Sequence, residues 1–143
     1  MAKILLISDT QVVLDELESV VDDGNHEIGT MADGTQLRQI LAEDPPDLII
    51  ADAQIGNMGG VAIAHDVKLE ESYGRIQPVG VLVLLDRRAD VHLARRSGAD
   101  GWIVKPFDSI RIRAAVESIL SGERFEDDSF KPFDTMVAQN ESI

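Results

Sequence analysis

The sequence contains no cysteine, which excludes a disulfide framework, a thiolate metal centre and a cysteine nucleophile, and fits a cytoplasmic protein. Basic residues are scarce: 13 Lys and Arg stand against 26 Asp and Glu, for a net charge of -13. A surface of that sign repels nucleic-acid phosphates and anionic headgroups, so direct nucleic-acid or membrane binding is not expected. Long apolar runs are also missing. The first, Ile4 to Ile7, is broken by Ser8 and Asp9, too short for a secretory apolar stretch or a bilayer span.

What is present is ordinary globular material. The 143 residues are 44% apolar and 27% charged, and a chain of that length buries roughly two-thirds of its unfolded surface, enough for one core. Ile4 to Ile7 reads as a strand buried on both faces and stopped by Ser-Asp-Thr. A helix follows, with Val13, Leu17, Val20 and Val21 on one stripe and Asp22-Asp23-Gly24-Asn25 ending it. His26 to Met31 is a second strand, and Asp33-Gly34 opens a helix carrying Leu37, Ile40 and Leu41, stopped by Asp44-Pro45-Pro46.

Leu48 to Ala51 is a third strand ending at Asp52, with a loop through Gly56, Gly59 and Gly60. Val61 to Leu69 is helical, Glu70 to Pro78 an exposed connector, and Val79 to Leu85 the most apolar segment and the central strand candidate. A short basic-faced helix from Ala89 to Ser97, a fifth strand from Gly101 to Val104 and a last helix from Ser109 to Ser121 complete the pattern. The helix stripe is Ile112, Val116, Ile119 and Leu120.

Strands alternating with helices call for parallel pairing with right-handed crossovers, giving a doubly wound α/β fold: five parallel strands with helices on both faces. Such sheets bind ligands at the carboxyl ends of their strands, near the switch in strand order. The residues predicted there are Ser8, Asp9, Asp52, Asp86 and Lys105. Residues 1–121 form the expected domain, and 122–143, aperiodic and acidic, a flexible tail.

Two stretches carry a specific resemblance. Leu48-Ile49-Ile50-Ala51-Asp52 with Asn57-Met58-Gly59-Gly60, and Ser97-Gly98-Ala99-Asp100-Gly101-Trp102-Ile103-Val104-Lys105-Pro106-Phe107, are similar in order and spacing to the motifs of response-regulator receiver domains. The resemblance covers about residues 3 to 121. It implies a flavodoxin-like receiver fold and a phosphoryl group accepted on Asp52 from a sensor histidine kinase or phosphotransfer protein. Asp9, Asp52 and the backbone carbonyl of Gln54 would hold magnesium, with Ser8 contributing weakly through water. Lys105 would neutralise a phosphoryl oxygen, and the bond to Pro106 would be cis.

The chemistry accounts for the cation. Two carboxylates about 4 Å apart repel by roughly 4 kcal/mol at an effective dielectric near 20, so the pair keeps its nucleophile only if a cation shares the site. Magnesium suits one or two carboxylates plus waters and phosphate oxygens.

The sequence departs from the family pattern at three places. Ser8 stands where receivers usually carry the first of two acids, Gly56 replaces a proline often seen in that loop, and Leu85 occupies the position of the switch Thr or Ser. The missing hydrogen bond to a charged group is worth roughly 1.5 to 3 kcal/mol. Trp102 is either the aromatic partner of the switch or ordinary sheet-edge packing, and Asp86 either adds a second negative charge or caps the next helix. No second domain pattern follows residue 121, so output is expected through protein contact with a downstream target, by resemblance through about Ala89 to Ser121, with a homodimer possible there. The competing reading is a pseudo-receiver that acts as an interaction module without phosphate.

Overall fold

Continuous apolar runs become interior strands when helices cover both of their faces, and that accounts for β1 (Lys3–Ile7), β3 (Leu48–Asp52), β4 (Gly80–Leu85) and β5 (Gly101–Val104). β2 (Glu27–Met31) lies at one edge, and β6 (Phe125–Glu126) at the other. The helices are α1 (Gln11–Val21), α2 (Leu37–Glu43), α3 (Gly60–Ser72), α4 (Val91–Arg96) and α5 (Ser109–Leu120), with a 3-10 turn over Arg88–Asp90 before α4. The structure is a computed structural model describing residues 2–53 and 59–127. The expectations for Gln54, Gly56, Asn57 and Met58, and for the chain beyond 127, lie outside those residues.

All strands pair in parallel in the order β2-β1-β3-β4-β5-β6. Alternate residues feed two cores. Ile4, Leu6, Ile50, Leu82, Leu84 and Ile103 pack with Leu17 of α1 and Ile112, Val116 and Ile119 of α5. Leu5, Ile7, Ile49, Val81, Val83 and Leu85 pack with Leu41 of α2, Ile63 and Val67 of α3 and Ala94 of α4 on the other face. Each fully buried Val, Leu or Ile contributes roughly 1.5 to 3 kcal/mol. The switch in strand order falls between β1 and β3, so the crevice opens beside Ser8, Asp9 and Asp52.

Three local expectations are corrected. α3 runs on to Ser72 because Glu70, Glu71 and Ser72 contain no helix breaker, and the chain turns only at Gly74, whose φ is +72°. α2 starts at Leu37 rather than at Asp33, since the Asp33 carboxylate accepts from the Thr35 amide and hydroxyl in a local turn. The third concerns the strand count and the expected tail from residue 122. β6 makes a sixth strand, pairing Gly101 with Phe125 and Trp102 with Glu126, and residues 122 to 127 belong to the folded unit.

Two features hold that sixth strand. A Cβ on Gly101 would lie 2.7 Å from the Phe125 carbonyl oxygen, so the glycine admits the backbone of β6. Beyond it Asp127, 4% exposed, accepts from the Val104 amide at 3.1 Å and from Arg111 Nη1 at 2.6 Å. Removing one partner of such a buried pair costs about 3 to 5 kcal/mol.

Candidate functional site

Parallel register positions the first two groups. Ile7 is opposite Ala51, so the next residues, Ser8 and Asp52, emerge side by side, and the Ser8 hydroxyl donates to Asp52 Oδ2 at 3.0 Å. Ser8 is fully buried and its Oγ also accepts from the Thr10 amide at 3.2 Å. Asp52 is 2% exposed, and a carboxylate so placed needs charged or hydrogen-bonding partners. The chief one comes from β5. The Lys105 amide donates to the Leu85 carbonyl at 2.7 Å, carrying the ladder one residue past Val104, and Lys105 Nζ donates to Asp52 Oδ1 at 2.6 Å.

The same ammonium donates to Asp86 Oδ1 at 3.1 Å. Burial alone would lower the Lys105 pKa, but the hydrogen bonds it donates to Asp52 and Asp86 outweigh it and hold the group above its ordinary 10.5. Of the two roles read for Asp86, the structure shows an ion pair with Lys105 and no side-chain cap on the following 3-10 turn. One ammonium against two carboxylates leaves an excess negative charge at the mouth of the crevice.

Asp9 follows Ser8 but is exposed, and among the described residues its carboxylate accepts only from the Thr10 hydroxyl at 3.3 Å. The structure therefore brings Ser8, Asp52, Lys105 and Asp86 into direct contact and leaves Asp9 at the rim. Among the described residues no three His, Asp or Glu side chains gather into a metal cluster. The donor set still fits magnesium, a hard ion that keeps several waters and needs one or two carboxylates: the Asp52 and Asp9 oxygens stand at the ends of adjacent strands. The Lys105–Pro106 bond is cis.

Leu85 and Trp102 are both fully buried and share one core cluster with Val83 and Val104. The Trp102 indole N–H has no acceptor among the described residues, and the Arg95 guanidinium lies 5.3 Å from the ring centroid, within cation–π range. Trp102 is interior rather than at a sheet edge because β6 covers β5. Arg95, on the basic helix, also meets the acidic segment that follows α5, with Nε 3.8 Å from Glu126.

Sequence reasoning missed Arg111 and Asp127. Arg111 binds the Asp108 carboxylate that caps α5, the Asp127 carboxylate and the carbonyls of Val104 and Pro106. The spacing Asp108 to Arg111 announced the helix cap. Nothing in the acidic run Glu126-Asp127-Asp128 distinguished the one carboxylate that is buried.

Fold and site together define a doubly wound α/β domain with an aspartate–lysine pair at its switch-point crevice. The family model for the response regulator receiver domain matches residues 4–117, and the chain belongs to that family, a module of two-component signalling. Response regulator PleD of Caulobacter vibrioides is 30% identical over 118 residues, 82% of this chain and 26% of PleD. The chain spans from about a quarter to a little over half the length of the curated relatives it matches. A two-component response regulator of the LuxR family from Aurantimonas sp. SI85-9A1 superposes with a TM-score of 0.77 at 20% identity, covering 100% of this chain and 99% of that one. The receiver domain of a Pseudomonas aeruginosa sensor histidine kinase, solved with magnesium coordinated in its active-site cleft, gives 0.71 at 18% identity over 85% and 98% of the two chains. These structural likenesses show the fold. Among the described residues no helix is long and apolar enough to cross a membrane.

Proposed function

We propose that Asp52 is a phosphoacceptor, charged by the phosphohistidine of a sensor histidine kinase or phosphotransfer protein. The observation that carries this reading is the 2.6 Å contact between Lys105 Nζ and a nearly buried Asp52 carboxylate beside the switch-point crevice. An Asp52 oxygen attacks phosphorus, the P–N bond breaks, and its electron pair returns to the imidazole, which takes up a proton. An acyl phosphate on Asp52 results. Lys105 moves from the attacking carboxylate to a phosphoryl oxygen as a point charge, and Ser8 keeps hold of the other Asp52 oxygen.

Magnesium would be held by Asp52, Asp9 and the backbone carbonyl of Gln54, with Ser8 reached through water. Its chemistry is to offset charge between the carboxylates and the phosphoryl oxygens. Output runs by protein contact through the surface about Ala89 to Ser121, to a downstream target or a second copy. The test is incubation with phosphoramidate and magnesium followed by intact mass. An adduct of one phosphoryl group on the native protein, absent from Asp52→Asn, is the expected result.

One observation favours a second reading, a pseudo-receiver that signals without phosphate. Leu85 is sealed in the core where a hydroxyl would reach a phosphoryl group. No adduct on the native protein under those conditions would select that reading.

A further inference from the structure

Both residues flanking Lys105 are gripped from outside the crevice. Arg111 Nη1 donates to the Val104 carbonyl at 3.4 Å, and its Nη2 donates to the Pro106 carbonyl. The guanidinium that reaches across this turn is itself fixed on the far side by the Asp127 carboxylate at 2.6 Å. Asp127 closes the circuit by accepting from the Val104 amide at 3.1 Å. The Asp127 side chain is 1% exposed and that of Arg111 16%, so the pair works in a poorly screened environment. A planar fork with fixed donors suits such a multi-point grip, which a lysine could not reproduce.

The segment that delivers Asp127 is short and lies at the edge of the sheet. It leaves α5 through Gly122, whose φ of +89° is a left-handed turn that favours glycine. It pairs through the two residues of β6 and carries one exposed ion pair, Glu126 with Arg95. Its backbone is held by the Phe125 amide donating to the Asp100 carbonyl at 2.9 Å and the Glu123 amide to the Ser118 carbonyl at 2.8 Å, with Phe125 packing and the Asp127 carboxylate added.

We propose that Arg111 and Asp127 are positioning residues for Lys105, and that the segment from Gly122 to Asp127 is a strap whose docking on β5 holds Lys105 in reach of Asp52. It rests on the phosphoacceptor reading and extends it: the edge of β5 and the phosphoacceptor crevice are coupled. Because coupling free energies are reciprocal, a partner that displaces the strap by adding its own acidic strand to β5 weakens the grip on Lys105. A phosphoryl group that draws Lys105 inward alters the docking of the strap in turn.

The test uses the full chain with Asp127→Asn, which keeps the shape but discharges the pair, and Arg111→Lys, which keeps the charge but loses the fork. Three readouts are followed: amide exchange at Val104, the 15N signal and proton-exchange rate of the Lys105 ammonium at one fixed pH, and the rate of phosphoramidate labelling. Expected are exchange at Val104 faster by about tenfold or more, a shifted Lys105 15N signal with faster exchange of its ammonium protons, and labelling slowed several-fold. Faster exchange at Val104 with the Lys105 ammonium signal and labelling unchanged would overturn the proposal, leaving the strap purely structural. If Asp127→Asn does not fold, Arg111→Lys alone decides by the same criteria. If the native protein takes up no phosphoryl group, the phosphoacceptor reading falls, while the Lys105 ammonium signal still decides whether the strap positions that side chain.

Discussion

The two ends of the sheet hold nearly the same ionic arrangement. At the carboxyl end Lys105 lies 2.6 Å from Asp52 and 3.1 Å from Asp86. At the amino end Lys68 lies 2.6 Å from Asp100 and 3.1 Å from Glu71. The lysine side chains are almost equally exposed, at 23% and 20%. They differ in what else they hold. Lys68 also donates to the Val79 carbonyl at 2.9 Å, the Asp100 carboxylate accepts from the Val81 amide at 2.8 Å, and Glu71 accepts from the Val79 amide at 3.4 Å. That triad ties off the start of β4. Lys105 has only its two carboxylates as side-chain partners among the described residues, which leaves a proton to offer to a newcomer. Like charges are therefore tied to the backbone at one end and left with donor capacity at the other.

Replacing each lysine in turn breaks the comparison most severely. Lys105→Met is expected to slow phosphoramidate labelling at least about tenfold, since it removes a charge aimed at the transferred group. Lys68→Met should leave that rate unchanged while lowering stability by about 1 to 3 kcal/mol, read from the denaturation midpoint. Equal rates in the two variants would erase the distinction between the ends.

Leu85→Thr comes next. Loss of a core leucine destabilises the resting protein by roughly 2 kcal/mol, but the hydroxyl can return a hydrogen bond to a charged phosphoryl group worth roughly 1.5 to 3 kcal/mol. Beryllium fluoride with magnesium should therefore move the amide signals around Trp102 further in this variant than in the native protein. Asp86→Asn is expected to have a smaller effect. Removing one repelling charge at a partly exposed position should prolong the acyl phosphate by no more than about fivefold, or 1 kcal/mol, as followed by the decay of the mass adduct.

The smallest effect is in pH. The folded Lys105 pKa is raised above 10.5, so its stabilisation is complete below that ordinary value and is lost as pH rises through the higher folded value. The difference in melting temperature between native protein and Lys105→Met should shrink over that alkaline window.

Much of this was legible in the residues. Strands such as Leu48 to Asp52 and Gly80 to Leu85 announced themselves as apolar runs, and Asp52 and Lys105 followed from their places at strand ends. The contact between Ser8 and Asp52 was not readable, because it depends on a register between strands whose two residues are 44 positions apart. A two-residue strand has no periodicity to detect, which hid β6. Burial of Asp127 is likewise a tertiary fact: its neighbours in sequence are acids too, and only the approach of Arg111 separates it from them.

The chain's single tryptophan sits three positions before Lys105, sealed from water, with an unsatisfied indole N–H and a guanidinium over its ring. Its intrinsic emission should be blue-shifted, and sensitive to any movement of Arg95 or of the strand that bears the lysine. The molecule thus carries its own optical probe between crevice and edge, and ligand arrival at one or displacement at the other can be watched in real time without attaching a dye.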